Sequence, residues 1–262
     1  MTGFSPSANT SPRRQAEGFT LTELAMVLLI VGLLLGSLMF TLAAQSETQS
    51  FSETQRRLQH ARDLLLAYAL VNGRLPCPAV DAPLPASGVE TIAAAAGTGT
   101  GGTCTATYNG FLPAVTIGFK PTDSAGFGLD AWGNRIHYAV SRTPAGFFTG
   151  NVALKANWSA TAPSDIDICK HFTAASAATC GSAANRVVTT GTVVAIIWSP
   201  GKNFLSSGAA SIDEGTNSDS FAAFVSRTPT PAGAADGEFD DQLTWITVGE
   251  LYGKLIAAGI LP

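Results

Sequence analysis

Residues 24–44 carry no charged side chain and only two hydroxyls, Ser37 and Thr41, and this run constrains the chain more than any other feature. At 1.5 Å of rise per residue, about 20 apolar helical residues match the ~30 Å hydrocarbon core of a bilayer. The run therefore predicts a membrane-spanning helix. Glu23 stands at its mouth, and an unpartnered charge in lipid costs roughly 3 kcal/mol even on lenient scales, so this carboxylate needs a partner. No proline occurs between Pro12 and Pro76. One helix is thus expected over residues 19–73, about 75 Å long at helical rise. Its second half, 45–71, spaces Phe51, Leu58, Ala61, Leu65 and Tyr68 as an amphipathic stripe that would pack on a head domain. Asn72-Gly73 supplies the stop, followed by Pro76 and Pro78.

The start of the run, Gly18-Phe19-Thr20-Leu21-Thr22-Glu23-Leu24, resembles the processing site of type IV pilins and type II secretion pseudopilins. The resemblance implies cleavage after Gly18 by a prepilin peptidase, N-methylation of Phe19, and pairing of Glu23 with the N-terminal amine of a neighbouring subunit. Residues 1–18 would be the prepilin leader. Glu17 stands where many relatives carry a basic residue, and Phe40 where many carry a proline that loosens the helix. Gly32 and Gly36 form a GxxxG pattern that lets helices approach closely in lipid. Two blander readings compete: a signal anchor whose Glu23 reaches the interface, and a secretory signal cut near Ala43-Ala44-Gln45.

Composition suits an anchored, exported subunit. About 190 residues follow the first helix, enough for one domain with its own core. Charged residues are 13%, and the formal net charge is −4. Losing a leader that carries Arg13, Arg14 and Glu17 would leave the mature chain near −5. An acidic head has no general attraction for phosphate backbones, so nucleic acid is a disfavoured partner. The four cysteines allow three pairings, of which local closure favours Cys77 with Cys104 and Cys169 with Cys180. The second of these resembles the disulfide loops of pilin heads. Zinc is disfavoured because there is no CxxC and only His171 lies near a cysteine. An oxidising periplasmic setting is the better reading.

Residues 74–262 read as a periplasmic, globular, pilin-like head. Strands are expected at 111–119, 135–140, 187–198 (with a hairpin break at Thr190-Gly191), 221–226 and 243–248. Ser164 would cap a helix over 164–178, and a short helix would close the chain at 248–258. The Gly/Ala/Thr-rich stretch 93–105 lacks the Lys-Ser/Thr ending of a phosphate loop and reads as a surface loop. The fold class expected is α+β: a long N-terminal membrane-spanning helix packed on an antiparallel β-sheet head. Asp130-Ala131-Trp132-Gly133-Asn134 resembles the Asp-x-Trp-Gly-Asn segment of pseudopilins, and physically it is a turn whose Trp132 packs on the sheet. Leu75-Pro76-Cys77-Pro78 and Phe239-Asp240-Asp241-Gln242-Leu243-Thr244-Trp245 resemble segments of larger pilin-like proteins.

Catalytic signatures are missing from the sequence: no Gly-x-Ser-x-Gly, no HExxH and no dinucleotide fingerprint. His60, His137 and His171 are scattered and read as structural or exposed. The acids Asp213, Glu214, Asp219, Asp240 and Asp241 could contribute to a calcium site in flexible loops. Their spacing does not match an EF-hand, so solvated surface acids are the competing reading. Calcium is the one cofactor these residues suggest. The resemblance implies a minor structural subunit of a type IV pilus or type II secretion pseudopilus, not an enzyme. It would lie in the bacterial inner membrane as a single-pass protein with a periplasmic head. Its partners would be other pilin or pseudopilin subunits, the prepilin peptidase and an assembly platform with a cytoplasmic ATPase. The alternatives are a tip adhesin, a DNA-uptake pilin, or a membrane-anchored periplasmic binding or enzymatic domain.

Overall fold

Thr20 opens helix α1 (Leu21–Asn72) in a computed structural model that describes residues 20–81, 87–95, 102–106, 108–142, 147–150, 154–155, 164–174, 178–204 and 211–262, the side chains of 37–44, 94 and 95 excepted. The leader at 1–18, Gly18 and Phe19 lie outside the described residues. The start of α1 is a capping box. Glu23 accepts hydrogen bonds from the Thr20 N–H at 3.0 Å and the Thr20 hydroxyl at 2.9 Å, while Thr20 Oγ1 accepts the Glu23 N–H at 3.3 Å. These bonds, the backbone one foremost, hold the Glu23 carboxyl below the usual carboxylate range.

The membrane-spanning helix expected at 24–44 is not found: among the described residues no helix is long and apolar enough to cross a membrane. The chain divides into two compact units, 1–48 and 49–262, with the boundary inside α1. In the first unit every described side chain is exposed, including Leu21, Leu24, Met26, Leu28, Leu29 and Leu33.

The second unit is α+β, with an antiparallel main sheet. Residues 49–72 of α1 lay Leu58, Ala61, Leu65, Leu66 and Ala69 into the core at helical spacing. Of the other stripe residues, Tyr68 is half-buried, and Phe51 meets the edge of Trp132 with ring centroids 4.9 Å apart. Gly73 ends the helix at φ 64°, its N–H bonded to the Ala69 carbonyl. Strands β1 (Ile92–Ala95) and β2 (Gly102–Cys104) pair antiparallel, so the stretch expected to be a surface loop is in part a ribbon. The Cys77–Cys104 disulfide ties that ribbon to the end of α1.

The main sheet comprises β3 (Gly110–Phe111), β4 (His137–Val140), β6 (Val193–Ser199) and β8 (Gln242–Thr247) in that order, all antiparallel. β6 is buried along its whole length, because both faces of the sheet are covered. Val194, Ala195 and Ile197 join the core formed with α1, whereas Ile196 and Trp198 join Ile166, Ile168 and Phe224 on the opposite face. That second face is closed by β5 (Asp167–Cys169) and β7 (Ala223–Val225), a parallel pair. The chain ends in α4 (Val248–Ala257), with Thr247 as N-cap accepting the Glu250 N–H.

Other sequence expectations fail for identifiable reasons. The strand expected at 111–119 stops at Phe111, since Pro113 has no N–H for a ladder and Ala114–Ile117 turn into the short helix α2, closed by Gly118 at φ 74°. The helix expected at 164–178 is instead the strand β5. Ser164 gives its hydroxyl to the Val193 carbonyl instead of capping, and Ile166 and Ile168 are fully buried against the sheet. Burial here outweighs a local cap signal. The Cys169–Cys180 disulfide follows directly. The turn at Thr190-Gly191 is present, but the chain before it bridges to β5 through Arg186 and Cys169 and does not fold back on β6.

Candidate functional site

The acids singled out from the sequence are not solvated surface groups. Ser211 caps a short helix, α3 (Ile212–Asn217), by accepting the Glu214 N–H, and this turns Asp213 and Glu214 inward. Asp213 is fully buried, with Glu214 2% and Asp241 4% exposed. Asp240 and Asp241 precede β8 and reach the same place from the other side. Oxygens of Glu214, Asp240 and Asp241 all lie within 4.8 Å of one another.

Asp213 and Asp219 belong elsewhere. Asp213 Oδ2 sits 2.7 Å from Arg227 Nε and 2.9 Å from His171 Nδ1, and its Oδ1 accepts the Phe172 N–H. That carboxylate is already neutralised and ties α3 to the disulfide loop. Asp219 accepts the Phe221 N–H through Oδ1. Of the five acids that the sequence offers, the structure brings three together.

Around the three, polar groups are arranged with care. Glu214 Oε1 accepts from the Asp240 N–H at 3.1 Å and from Asn203 Nδ2 at 3.3 Å. Asp240 Oδ2 accepts the Lys202 and Asn203 N–H groups at 2.8 and 3.2 Å. Asp241 Oδ2 accepts from Asn217 Nδ2 at 2.7 Å, and Asn217 is itself locked to the Val225 backbone. Asp240 Oδ1 is buried and has no hydrogen-bond partner. It lies against Gly201, where a Cβ would come within 1.9 Å of it, so only glycine admits the carboxylate at this point. Burial, reinforced by the neighbouring acids, pushes the Asp240 carboxyl up to about 6 and Asp241 well above the usual carboxylate range.

This donor set fits a hard divalent cation. Two oxygens that each sit about 2.4 Å from one calcium ion are at most about 4.8 Å apart, and such ions take oxygen ligands exclusively. Glu214, Asp240 and Asp241 would hold the ion, which would supply charge neutralisation and lock α3 to the start of β8. Gly201, Asn203, Asn217 and Arg227 escaped the sequence reading. Only Gly201-Lys202-Asn203, a polar turn directly after an apolar strand, offered a signal.

With chelator present, the melting temperature of the chain is expected to fall as pH rises from about 4 through 6. The folded state holds protons on Asp240 and Asp241 that the unfolded state has released, so stability drops with increasing pH. Millimolar calcium is expected to reverse that fall at pH 7 by several degrees. Asp241→Asn is expected to stabilise the metal-free chain and remove the calcium response. Calorimetry that finds no shift with calcium and a destabilised Asp241→Asn chain would exclude the site.

The remaining motifs have structural roles. Asp130 Oδ1 accepts the Trp132 and Asn134 N–H groups, Gly133 takes φ 87°, and Asp130 Oδ2 accepts the Ser199 hydroxyl at 2.6 Å. Trp132 packs on Phe51 of α1, not on the sheet as expected, and Arg57 donates to the Asp130 carbonyl at 2.6 Å. The segment is thus a clasp between helix and sheet. His137 is buried and stacked 4.1 Å from Trp198, and desolvation, then Arg135, lowers its pKa to about 3. His60 is exposed beside Phe119. At Gly32 and Gly36 an added Cβ would meet nothing within 4 Å.

No family model matches the chain, no curated protein matches its sequence, and no solved structure matches its fold.

Proposed function

We propose that this chain is a structural subunit of a filament of the type IV pilus or type II secretion pseudopilus kind, assembled through its N-terminal helix. The observation that carries the reading is the first part of α1. There the described residues 24–36 are apolar and exposed, and a single carboxylate, Glu23, lies just before them. Apolar surface of that extent is a binding surface, and the same helix of neighbouring copies is its natural partner. The GxxxG pair at Gly32 and Gly36 leaves backbone accessible for close approach. Two disulfides support an exported, periplasmic head. Processing after Gly18 and methylation of Phe19 by a prepilin peptidase complete the proposal, together with an ATPase-driven assembly platform.

In this scheme Glu23 exchanges its local bonds to Thr20 for a neighbour's N-terminal amine. Glu23→Ala is expected to leave the N-terminus at N-methylated Phe19, as read by intact mass, while the variant is lost from sheared filament fractions. Normal incorporation of the variant would remove the pairing. A wild-type chain that retains Met1 would remove the filament reading itself.

A further inference from the structure

A cavity of about 450 Å³ opens beside β5, on the side of the head where β7 begins. Its size falls within the roughly 300–1,000 Å³ typical of small-molecule sites. Asp167 and Arg186 meet in its wall at 3.5 Å, Oδ2 to a guanidinium nitrogen. Asp167 is 3% exposed and its Oδ1 has no hydrogen-bond partner; Arg186 Nε is likewise buried and unsatisfied. A buried acceptor and a buried donor on two touching side chains each carry an unrelieved desolvation cost, and Asp167 Oδ2 also accepts the Cys180 N–H at 3.3 Å. The third element is Phe221, 41% exposed at the same cavity and the one aromatic ring among the exposed large apolar side chains of the described residues. Ser220 and Thr179 add hydroxyls to the lining.

We propose that this cavity binds a neutral hexopyranose unit of a glycan, its C–H face against Phe221 and adjacent hydroxyls on Asp167 and Arg186. The chemistry selects this class. A pyranose has one apolar face suited to an aromatic ring. Each hydroxyl of a vicinal diol both donates and accepts, so neighbouring hydroxyls satisfy a carboxylate and a guanidinium side by side. A peptide amide offers its donor and acceptor on opposite edges, which a touching pair of side chains does not accommodate. Asp165 also lines the cavity, already bonded to Tyr108 and Ser141, so two carboxylates face one guanidinium there and anionic sugars are disfavoured. The proposal stands apart from filament assembly and survives if that reading fails.

Saturation-transfer NMR on the full-length oxidised chain, with methyl glucoside, galactoside, mannoside and N-acetylglucosaminide as probes, tests it. At least one probe is expected to receive transfer on its ring C–H protons, with affinity about tenfold weaker in Phe221→Ala. Phe221 is a surface residue, so that variant is expected to melt with the wild type. Asp167→Asn is expected to change which probe binds, or to abolish binding. Absence of transfer to every probe at tens of millimolar overturns the proposal. So does undiminished binding in Phe221→Ala.

Discussion

Arg74→Met is expected to destabilise the head by about 3–5 kcal/mol, measured by denaturant unfolding at pH 7. Arg74 is 4% exposed and makes two parallel hydrogen bonds to Glu90, at 2.8 and 2.6 Å. Glu90 also accepts the Cys77 N–H at 3.1 Å and the Tyr68 hydroxyl at 3.0 Å, so one carboxylate joins the end of α1, the disulfide and the approach to β1. Methionine would keep much of the packing and leave the partly buried Glu90 without its cation, which is the costly half of a broken ion pair. The pH dependence has a definite sign. Burial opposes ionisation of Glu90, but the Arg74 and Cys77 bonds outweigh it and its pKa is lowered from 4.5. The pair's contribution is therefore full above about pH 4.5 and lost as pH falls through the lowered folded value. In Arg74→Met that loss is expected to disappear, and the difference between variant and wild type should shrink in acid. A cost under about 1 kcal/mol at pH 7 would show that the pair is not the anchor of this corner.

Cys77→Ala/Cys104→Ala is expected to cost about 3.5 kcal/mol, against about 3 kcal/mol for Cys169→Ala/Cys180→Ala. The sequence separations are 27 and 11 residues, and in the chain-entropy account the longer loop gives up more freedom when unfolded. Context widens the gap. Cys77 is fully buried, donates its N–H to Glu90 of the Arg74–Glu90 pair, and clamps the β1–β2 ribbon, whose two short strands are too few to hold themselves. Combining the Cys77/Cys104 change with Arg74→Met should cost less than the sum of the two, because both release Glu90 and its neighbours. The check is a denaturant series on single and combined variants with thiols blocked. Strict additivity would place the disulfide and the ion pair in independent substructures.

Elements with a repeated local signal were legible without coordinates. The stripe Leu58, Ala61 and Leu65 repeats at helical spacing and is buried, and Asn72-Gly73 stops the helix because Gly73 adopts φ 64° at no steric cost. β4, β7 and β8 follow from runs of β-branched and aromatic residues, and the closing helix lies where it was expected. The signals that misled were one-residue cues. Ser164 looked like a cap until Val193 took its hydroxyl, and Asp213 looked solvated until Arg227 and His171 surrounded it. The apolar run at 24–44 promised a membrane span that the described helix does not provide.

Local chemistry, then, was decided by the sequence alone: where α1 stops, where β4, β7 and β8 lie, and that acids crowd the last third of the chain. Periodicity and capping act within a few residues, so they are written along the chain. Tertiary structure alone decided which acids meet, that Asp240 Oδ1 lies against Gly201, and that Asp167, Arg186 and Phe221 share one cavity. Those contacts join residues far apart in sequence. They form because burying both faces of the β4–β6–β8 sheet is favourable enough to draw polar groups inward with it, and no short-range pattern records that outcome.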